Sequence, residues 1–436
     1  MALGGGTFVT QNKVLPGAYI NFISVAKASA NLSDRGIAAM ALELDWGVDS
    51  AIIEVTKADF QKNSLKIFGY PYTDDKMKGL RDLFSNITTL YTYKLTSGGV
   101  KASNTFATAK YCGTRGNDLK VVIQANVDAP TKFDVFLYLG TTLVDSQVAV
   151  SAASALVSND FVDWKTSSTL AVTASTPLTG GTNGTVSGTS HQAFLDKIES
   201  YSVNAIGVVS TDAAINSLYT AFVKRLRDEV GVKFQAVVFG KAADYEGVVN
   251  VKNAVTDSGW STASLVYWVT GIIAGCAVNK SNTNKVYDGE FTVNVDYTQA
   301  QLEAAIKAGE FTLHQVGSDI RVLEDINSLV TTSDTKGDIF KDNQTVRVID
   351  QIANDIATLF ATKYLGTVPN DASGRTSLWA DIVKHHEQLQ TIRAIEDFSD
   401  KDVTIAQGDS KKAVVVSDVV TVVNAMTKLY MTVQVQ

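Results

Sequence analysis

Ala205-Ile206-Gly207-Val208-Val209, then Asp212, then Ile215, Leu218, Phe222 and Leu226, then Gly231 and Phe234-Gln235-Ala236-Val237-Val238-Phe239: these positions decide the fold. The first run is short and apolar, which reads as a buried strand. Asp212 stands where a helix N-cap belongs, the next four apolar residues recur at helical spacing, and Gly231 is a stop. The closing run is a second buried strand. Strand, helix and strand at this spacing form a βαβ unit, so part of the sheet is parallel.

Working outward, Ala51-Ile52-Ile53-Glu54-Val55 reads as a strand. Asp74 to Ser85 reads as a short helix with Met77, Leu80, Leu83 and Phe84 on one face. Downstream, Ser258 to Asn279 carries no charge, but its strongly apolar part is shorter than the roughly 20 residues a bilayer needs, so it reads as a buried core helix. Thr298 to Ala308 is a further helix, with Thr298 and Gln301 spaced as a capping box and Gly309 as its stop.

Between the two α/β stretches the composition changes. From Thr131 to Ser190 only Lys132, Asp134, Asp145, Asp160, Asp163 and Lys165 are charged. Short β-like runs recur there and just before (Leu119 to Val127, Phe133 to Leu139, Leu143 to Val150, Leu170 to Ala174). Pro130, Gly140, Pro177 and Gly180-Gly181 separate them, which indicates a β-sandwich or small barrel. The last hundred residues hold an amphipathic helix (Val346, Ile349, Ala353, Ile356, Phe360) stopped at Gly366, a helix from about Arg375 to Ile392, and a hairpin. The hairpin is Val403 to Ala406, the turn Gly408-Asp409-Ser410, and Ala413 to Ser417. A strand-like run, Leu429 to Val435, ends the sequence, and Ala18 to Val25 is its counterpart near the start, after a glycine-rich stretch and Pro16-Gly17.

The fold class is therefore α/β: a mixed α/β core domain with an inserted β-sandwich and a C-terminal α+β domain, flanked by extended N- and C-terminal arms. The boundaries read as arm 1–25, core 26–100, β-sandwich 101–190, core again 191–335, C-terminal domain 336–428 and arm strand 429–436.

Composition limits what such a protein does. The chain has 436 residues, with Lys+Arg 38 against Asp+Glu 45 and a net charge of −7, which argues against wrapping nucleic acid or an anionic bilayer. Charged residues make up 19%, low against about 25% in an average chain, a hint of surface hidden in an assembly. Cys112 and Cys276 stand far apart, so there is no disulfide framework and no CxxC pair; a reducing compartment fits. The start has neither a basic region nor a continuous apolar run, which reads against a Sec signal peptide.

Catalytic patterns are mostly absent. Gly240-Lys241-Ala242 lacks the hydroxyl residue and earlier glycine of a P-loop, and no GxGxxG follows the strands. The histidines are His191, His314, His385 and His386; no HExxH occurs, and adjacent residues on a helix diverge by about 100°, so the last pair is no metal clamp. Gly188-Thr189-Ser190-His191 superficially looks like a serine-protease nucleophile segment. A triad of that order needs a base histidine upstream, and no histidine precedes His191. What remains is two β-prone ends, each able to pair with its own sheet or add a strand to a neighbour.

Several stretches resemble the tail sheath proteins of contractile phage tails, specifically the short kind of defective prophages and R-type bacteriocins. They are Pro16 to Phe22, Asp34 to Ala38, Gly113 to Leu119, Tyr287-Asp288-Gly289-Glu290, Val348 to Ile356, Tyr364-Leu365-Gly366, Asn370-Asp371 and Gly374-Arg375. The resemblance spans essentially the whole chain. It implies arms that leave the subunit and pair with strands of neighbours, with Tyr19, Ile20, Phe22, Ile23 and Val25 and Leu429, Tyr430, Met431, Val433 and Val435 as the donated strands. Val403, Ile405, Ala413, Val414, Val415 and Val416 would form the acceptor hairpin. Arg375, Lys384, His385 and His386 are the candidates facing an inner tube, the alternative being a solvated helix face. It further implies self-assembly into stacked hexameric rings, partners in an inner tail tube, baseplate and tail terminator proteins, and no nucleic-acid contact or membrane insertion. No cofactor, metal or enzymatic activity is expected. The particle would be assembled in the bacterial cytoplasm and released by lysis. A surface-layer or adhesin-type protein, and less so an α/β serine hydrolase, are the competing readings.

Overall fold

In the computed structural model, which describes residues 32–435, the chain opens with β1 (Ile37–Leu42), β2 (Ile52–Thr56), α1 (Lys57–Phe68), α2 (Lys78–Phe84) and β3 (Thr89–Lys94). Seven strands follow: β4 (Lys101–Ser103), β5 (Ala107–Cys112), β6 (Leu119–Ala125), β7 (Phe133–Leu139), β8 (Thr142–Val150), β9 (Val162–Trp164) and β10 (Thr173–Pro177). The α/β pattern resumes with α3 (Gly188–Ile198), β11 (Ala205–Gly207), α4 (Ala213–Arg225), β12 (Gln235–Phe239), β13 (Val248–Val251), α5 (Val266–Gly275), α6 (Gln299–Lys307) and β14 (Glu310–Phe311). After the small hairpin β15 (Leu313–Val316) and β16 (Asp319–Val322) come α7 (Asn343–Leu359), α8 (Ala372–Thr391), β17 (Ile395–Glu396), β18 (Val403–Gln407), β19 (Val414–Asp418) and β20 (Thr421–Val422).

Seven strands form one sheet in the order β14-β13-β12-β11-β1-β3-β2. All neighbours are parallel except β2 against β3. Both faces are covered, and the sequence shows why. Along β1, Ala38, Met40 and Leu42 join one apolar cluster with α2 and α5, while Ala39 and Ala41 join another with α3 and α4. A strand buried on both sides is apolar at nearly every position, which is how the runs at 205–209 and 234–239 read. The polar member, Gln235, is buried with Nε2 donating to Glu246 O at 3.0 Å and Asn343 Oδ1 at 2.8 Å. Asp212 caps α4 by accepting from Ala214 N at 2.7 Å, and Gly231 closes the helix in the left-handed region at φ 92°. The uncharged stretch from 258 to 279 supplies α5, a buried ten-residue helix; no described helix is long and apolar enough to cross a membrane.

The inserted strands make a sandwich of β10-β6-β7-β8 over β4-β5-β9. Alternate residues of β6 and β7 (Leu119, Val121, Ile123; Val135, Leu137, Leu139) point inward onto Ala107, Ala109, Val162 and Trp164. The fourth β run is displaced: its strand is Thr173–Pro177 rather than Leu170 to Ala174, because Thr176 and Pro177 pair with Val121 and Lys120.

Two compact units account for the described chain. The larger comprises Ser33–Asn354, Leu389–Phe398 and the chain from Val420; the smaller includes Asp355–Gln388 and Ser399–Val419. The predicted strand Ala18 to Val25 lies outside the described residues. The predicted strand Leu429 to Val435 is not a strand in the single chain: no described segment pairs with it.

Candidate subunit interface

Within the smaller unit, β18 and β19 form an antiparallel hairpin with Val403 opposite Asp418, Ile405 opposite Val416 and Gln407 opposite Val414. The turn closes through Gly408 N donating to Ala413 O at 2.9 Å and Ala413 N to Ser410 O at 3.1 Å. Side chains outside the hairpin hold it in place. Trp379 Nε1 donates to Val403 O at 2.9 Å, and Asn370 Nδ2 donates to Lys411 O at 3.0 Å and Ala413 O at 2.8 Å. A two-stranded hairpin is marginal alone and needs such support.

Among the described residues the sheet stops at two strands, so each strand keeps an outer edge without a backbone partner. Val403, at the anchored end, is 2% exposed, whereas Val415 is 57% and Val416 39% exposed. Beside β19 lies a hollow of about 100 Å³ lined by Phe360, Tyr364, Leu365, Leu378, Lys412 and Val414.

In the larger unit the chain after β20 is tied down only as far as Ala425. Gln344 Nε2 donates to Val423 O at 3.0 Å, and Ala425 N donates to Gln344 Oε1 at 3.0 Å. Beyond it Met426, Leu429, Tyr430, Met431, Val433 and Val435 are all at least two-thirds exposed. In an extended conformation Leu429, Met431, Val433 and Val435 share one face. The result is an apolar stripe with nothing packed on it among the described residues.

The residues proposed to face a tube separate into two kinds. Lys384 is exposed, and Arg375 is half-buried with Nη1 donating to Asn370 O at 3.1 Å. His385 and His386 are interior, a correction to both sequence readings of them. His385 Nε2 meets Asp355 Oδ2 at 3.0 Å, His386 Nε2 meets Asp418 Oδ2 at 2.8 Å, and the two Nδ1 atoms are 3.4 Å apart. The physical reason is spacing: with Leu378, Ile382 and Leu389 they complete the buried stripe of α8. His386 thereby connects α8 to the end of β19.

The hydrolase constellation does not assemble. Ser190 Oγ donates to Ser187 O at 2.8 Å as part of the α3 cap, and buried His191 meets Tyr219 Oη at 3.1 Å.

The stretches behind the family resemblance hold the fold. Arg35 donates to Cys276 O at 2.8 Å and Ile273 O at 3.1 Å, closing the C-terminus of α5. Arg115 donates to Gly69 O at 2.8 Å, and Gly113, at φ 132°, leaves no room for a Cβ, which would sit 2.0 Å from Asp45 O. In the segment 287–290, Tyr287 Oη donates to Asp82 Oδ2 at 2.9 Å, Asp288 accepts from Trp268 Nε1 at 2.7 Å, and Glu290 pairs with Arg81 at 2.6 Å. Burial pushes the Asp82 carboxyl up to about 6, opposed by the hydrogen bonds from Glu290 N and Tyr287. Asp350 accepts both arms of the buried Arg227 guanidinium at 2.5 and 2.8 Å.

Comparison with known proteins gives this arrangement its context. Family profiles match along the described chain: "Tail sheath protein Gp18 domain III N-terminal region" at residues 35–95, "Phage tail sheath protein beta-sandwich domain" at 92–183, "Phage tail sheath protein central domain" at 184–328 and "Phage tail sheath C-terminal domain" at 335–436. A relative from Bacillus subtilis, "Phage-like element PBSX protein XkdK", is 31% identical over 99% of this chain and 100% of its own. The chain belongs to the phage tail sheath family. The crystal structure of a sheath tail protein from Desulfitobacterium hafniense superposes with a TM-score of 0.83 at 35% identity, covering 95% of this chain and 99% of that one. The helical sheath of the anti-feeding prophage in its contracted state shares the fold at 12% identity, with a TM-score of 0.57 over 97% of this chain and 99% of that one.

Proposed function

We propose that the chain is the structural subunit of a contractile tail sheath. It polymerises around an inner tube as stacked hexameric rings, linked by strand exchange of its terminal arms, and contracts to drive the tube through a cell envelope. The observation that carries this reading is the unpartnered apolar stripe Leu429, Met431, Val433 and Val435 in a chain that also presents an unextended two-stranded hairpin. A strand added along β18 or β19 would satisfy backbone groups and cover Val414 and Val416. Each new hydrogen bond contributes about 0.5–1.5 kcal/mol net, so one arm is worth a few kcal/mol before its ordering cost. A heterologous contact of this kind between successive rings does not close on itself, so it links the rings into an open helical array.

In this reading the free energy of contraction comes from new contacts between subunit bodies, and the protein is not an enzyme and needs no nucleotide or other cofactor. Arg375 and Lys384 remain the candidates for the tube. Baseplate and terminator proteins bound the array at its ends; it is built in the bacterial cytoplasm and leaves by lysis.

Deleting Leu429 to Gln436 tests the proposal. The truncated protein should keep its circular dichroism spectrum and melting temperature, yet form no long sheaths by negative-stain microscopy. Normal long sheaths would refute strand donation by this arm.

A further inference from the structure

The end of β3 and the end of β5 meet in a cluster that the sheath reading does not use. Lys94, the last residue of β3, has a side chain 1% exposed, uncommon for lysine. Its ammonium donates to Cys112 O at 2.5 Å, pairs with Asp49 Oδ1 at 3.0 Å and stands 3.4 Å from Cys112 Sγ. Cys112, the last residue of β5, is 3% exposed, and its thiol donates to the same Asp49 Oδ1 at 2.9 Å. Asp49 is the member that reaches solvent, with 29% of its side chain exposed. A buried thiol and a buried primary amine thus sit in contact, sharing one carboxylate that can take a proton from either and pass it to water.

We propose that Cys112 and Lys94 form a reversible sulfenamide cross-link, Sγ–Nζ, when the protein meets hydrogen peroxide. Asp49 takes the thiol proton as Sγ attacks the peroxide. The S–O bond forms, the O–O bond breaks and Cys112 becomes a sulfenic acid; the displaced hydroxide takes the thiol proton back from Asp49 and leaves as water. A sulfenic acid condenses with a thiol to a disulfide or with a backbone nitrogen to a sulfenamide, and here Lys94 Nζ, 3.4 Å from Sγ, takes the nitrogen's part. Lys94 Nζ then attacks Sγ, the S–N bond forms and the S–O bond breaks. Of the two protons the ammonium gives up, one leaves with hydroxide as a second water and the other reaches solvent through Asp49. In sum, thiol, ammonium and one peroxide give the sulfenamide, two waters and a proton; sulfur loses two electrons and the peroxide gains them. Burial and the hydrogen bond to Asp49 push the thiol up, so the first step is slow and spares the resting protein. Holding amine against sulfur makes the second step effectively intramolecular. The product staples the core sheet to the inserted sandwich.

The test is peptide mapping of the full-length protein after prolonged hydrogen peroxide treatment, digested without reductant. The expected product is a joined pair of peptides carrying Lys94 and Cys112, lighter than their sum by two hydrogens and separated again by dithiothreitol. Asp49→Asn keeps the shape of the relay but not its basicity and should lower the cross-link yield about tenfold. Cys112 recovered as sulfinic or sulfonic acid, or unmodified, with Lys94 still open to trypsin would overturn the proposal. The wild-type chain alone decides it, so the folding of a variant does not matter.

Discussion

Two strands of the molecule use nearly the same letters: Ala236-Val237-Val238 at the centre of β12 and Val414-Val415-Val416 in β19. In the seven-stranded sheet Val237 and Val238 are fully buried, each on its own face between strands and helices of the same chain. In the hairpin Val415 and Val416 remain open. Local strand propensity is the same in both places; what differs is whether the chain itself provides the neighbouring strands and the layer above them. The core sheet has seven strands with helices on both faces, all from one polypeptide, whereas the hairpin stops at two strands among the described residues.

The largest effect should come from a charge placed in the complete sheet. Val238→Asp buries an unpaired carboxylate and should cost at least about 4 kcal/mol, read by urea denaturation or as loss of soluble protein. A cost below about 1 kcal/mol would mean that the core sheet is as open as the hairpin.

Next is the pH dependence of the knot around Asp82. Its carboxyl is ordinarily at 3.8 and is raised to about 6 by burial, so the fold prefers the protonated form. The stabilisation is fully present below 3.8 and is lost as pH rises through about 6. The gap between those two values corresponds to at most about 3 kcal/mol. Asp82→Asn cannot ionise, so its stability relative to wild type should rise by up to that amount between about pH 4 and pH 7.5. Parallel urea-denaturation profiles for the two proteins would show that the knot does not sense pH.

A smaller effect belongs to the α4 cap. Asp212→Ala removes the acceptor for Ala214 N and should cost about 1 kcal/mol, a difference measurable by thermal melting.

How much of this is legible in the sequence follows the same division. The βαβ unit from Ala205 to Phe239, the core helix α5 and the hairpin are readable because continuous apolar runs, helical spacing and a glycine turn each carry a local signal. The short strands β4, β9, β17 and β20 are not, since two- or three-residue ladders are too short to show a period and are set by tertiary pairing. His385 and His386 are misread because an apolar count treats histidine as polar. The spacing from Leu378 and Ile382 to Leu389 is the available signal, and carboxylate partners at Asp355 and Asp418 are what make their burial tolerable. The run from Leu429 to Val435 carries strand propensity, but a strand is a relation between two segments, and no described segment pairs with this one.

The smallest expected effect on stability is the one that discriminates most between the two regions. Val415→Asp places on β19 the same charge that Val238→Asp places on β12. At 57% exposure the carboxylate stays hydrated, and it lies on the face of Thr404, Ala406 and Ser417, away from the anchored Val403. The melting temperature of the isolated chain should then be unchanged within the roughly 0.5 kcal/mol typical of surface changes. If the hairpin edge takes a strand from another subunit, sheath yield should still fall, because the same carboxylate loses water on assembly. Unchanged stability with unchanged sheath length would make Val415 an ordinary surface residue. Lost stability in the isolated chain would mean that the hairpin is already complete, and the contrast with β12 would collapse.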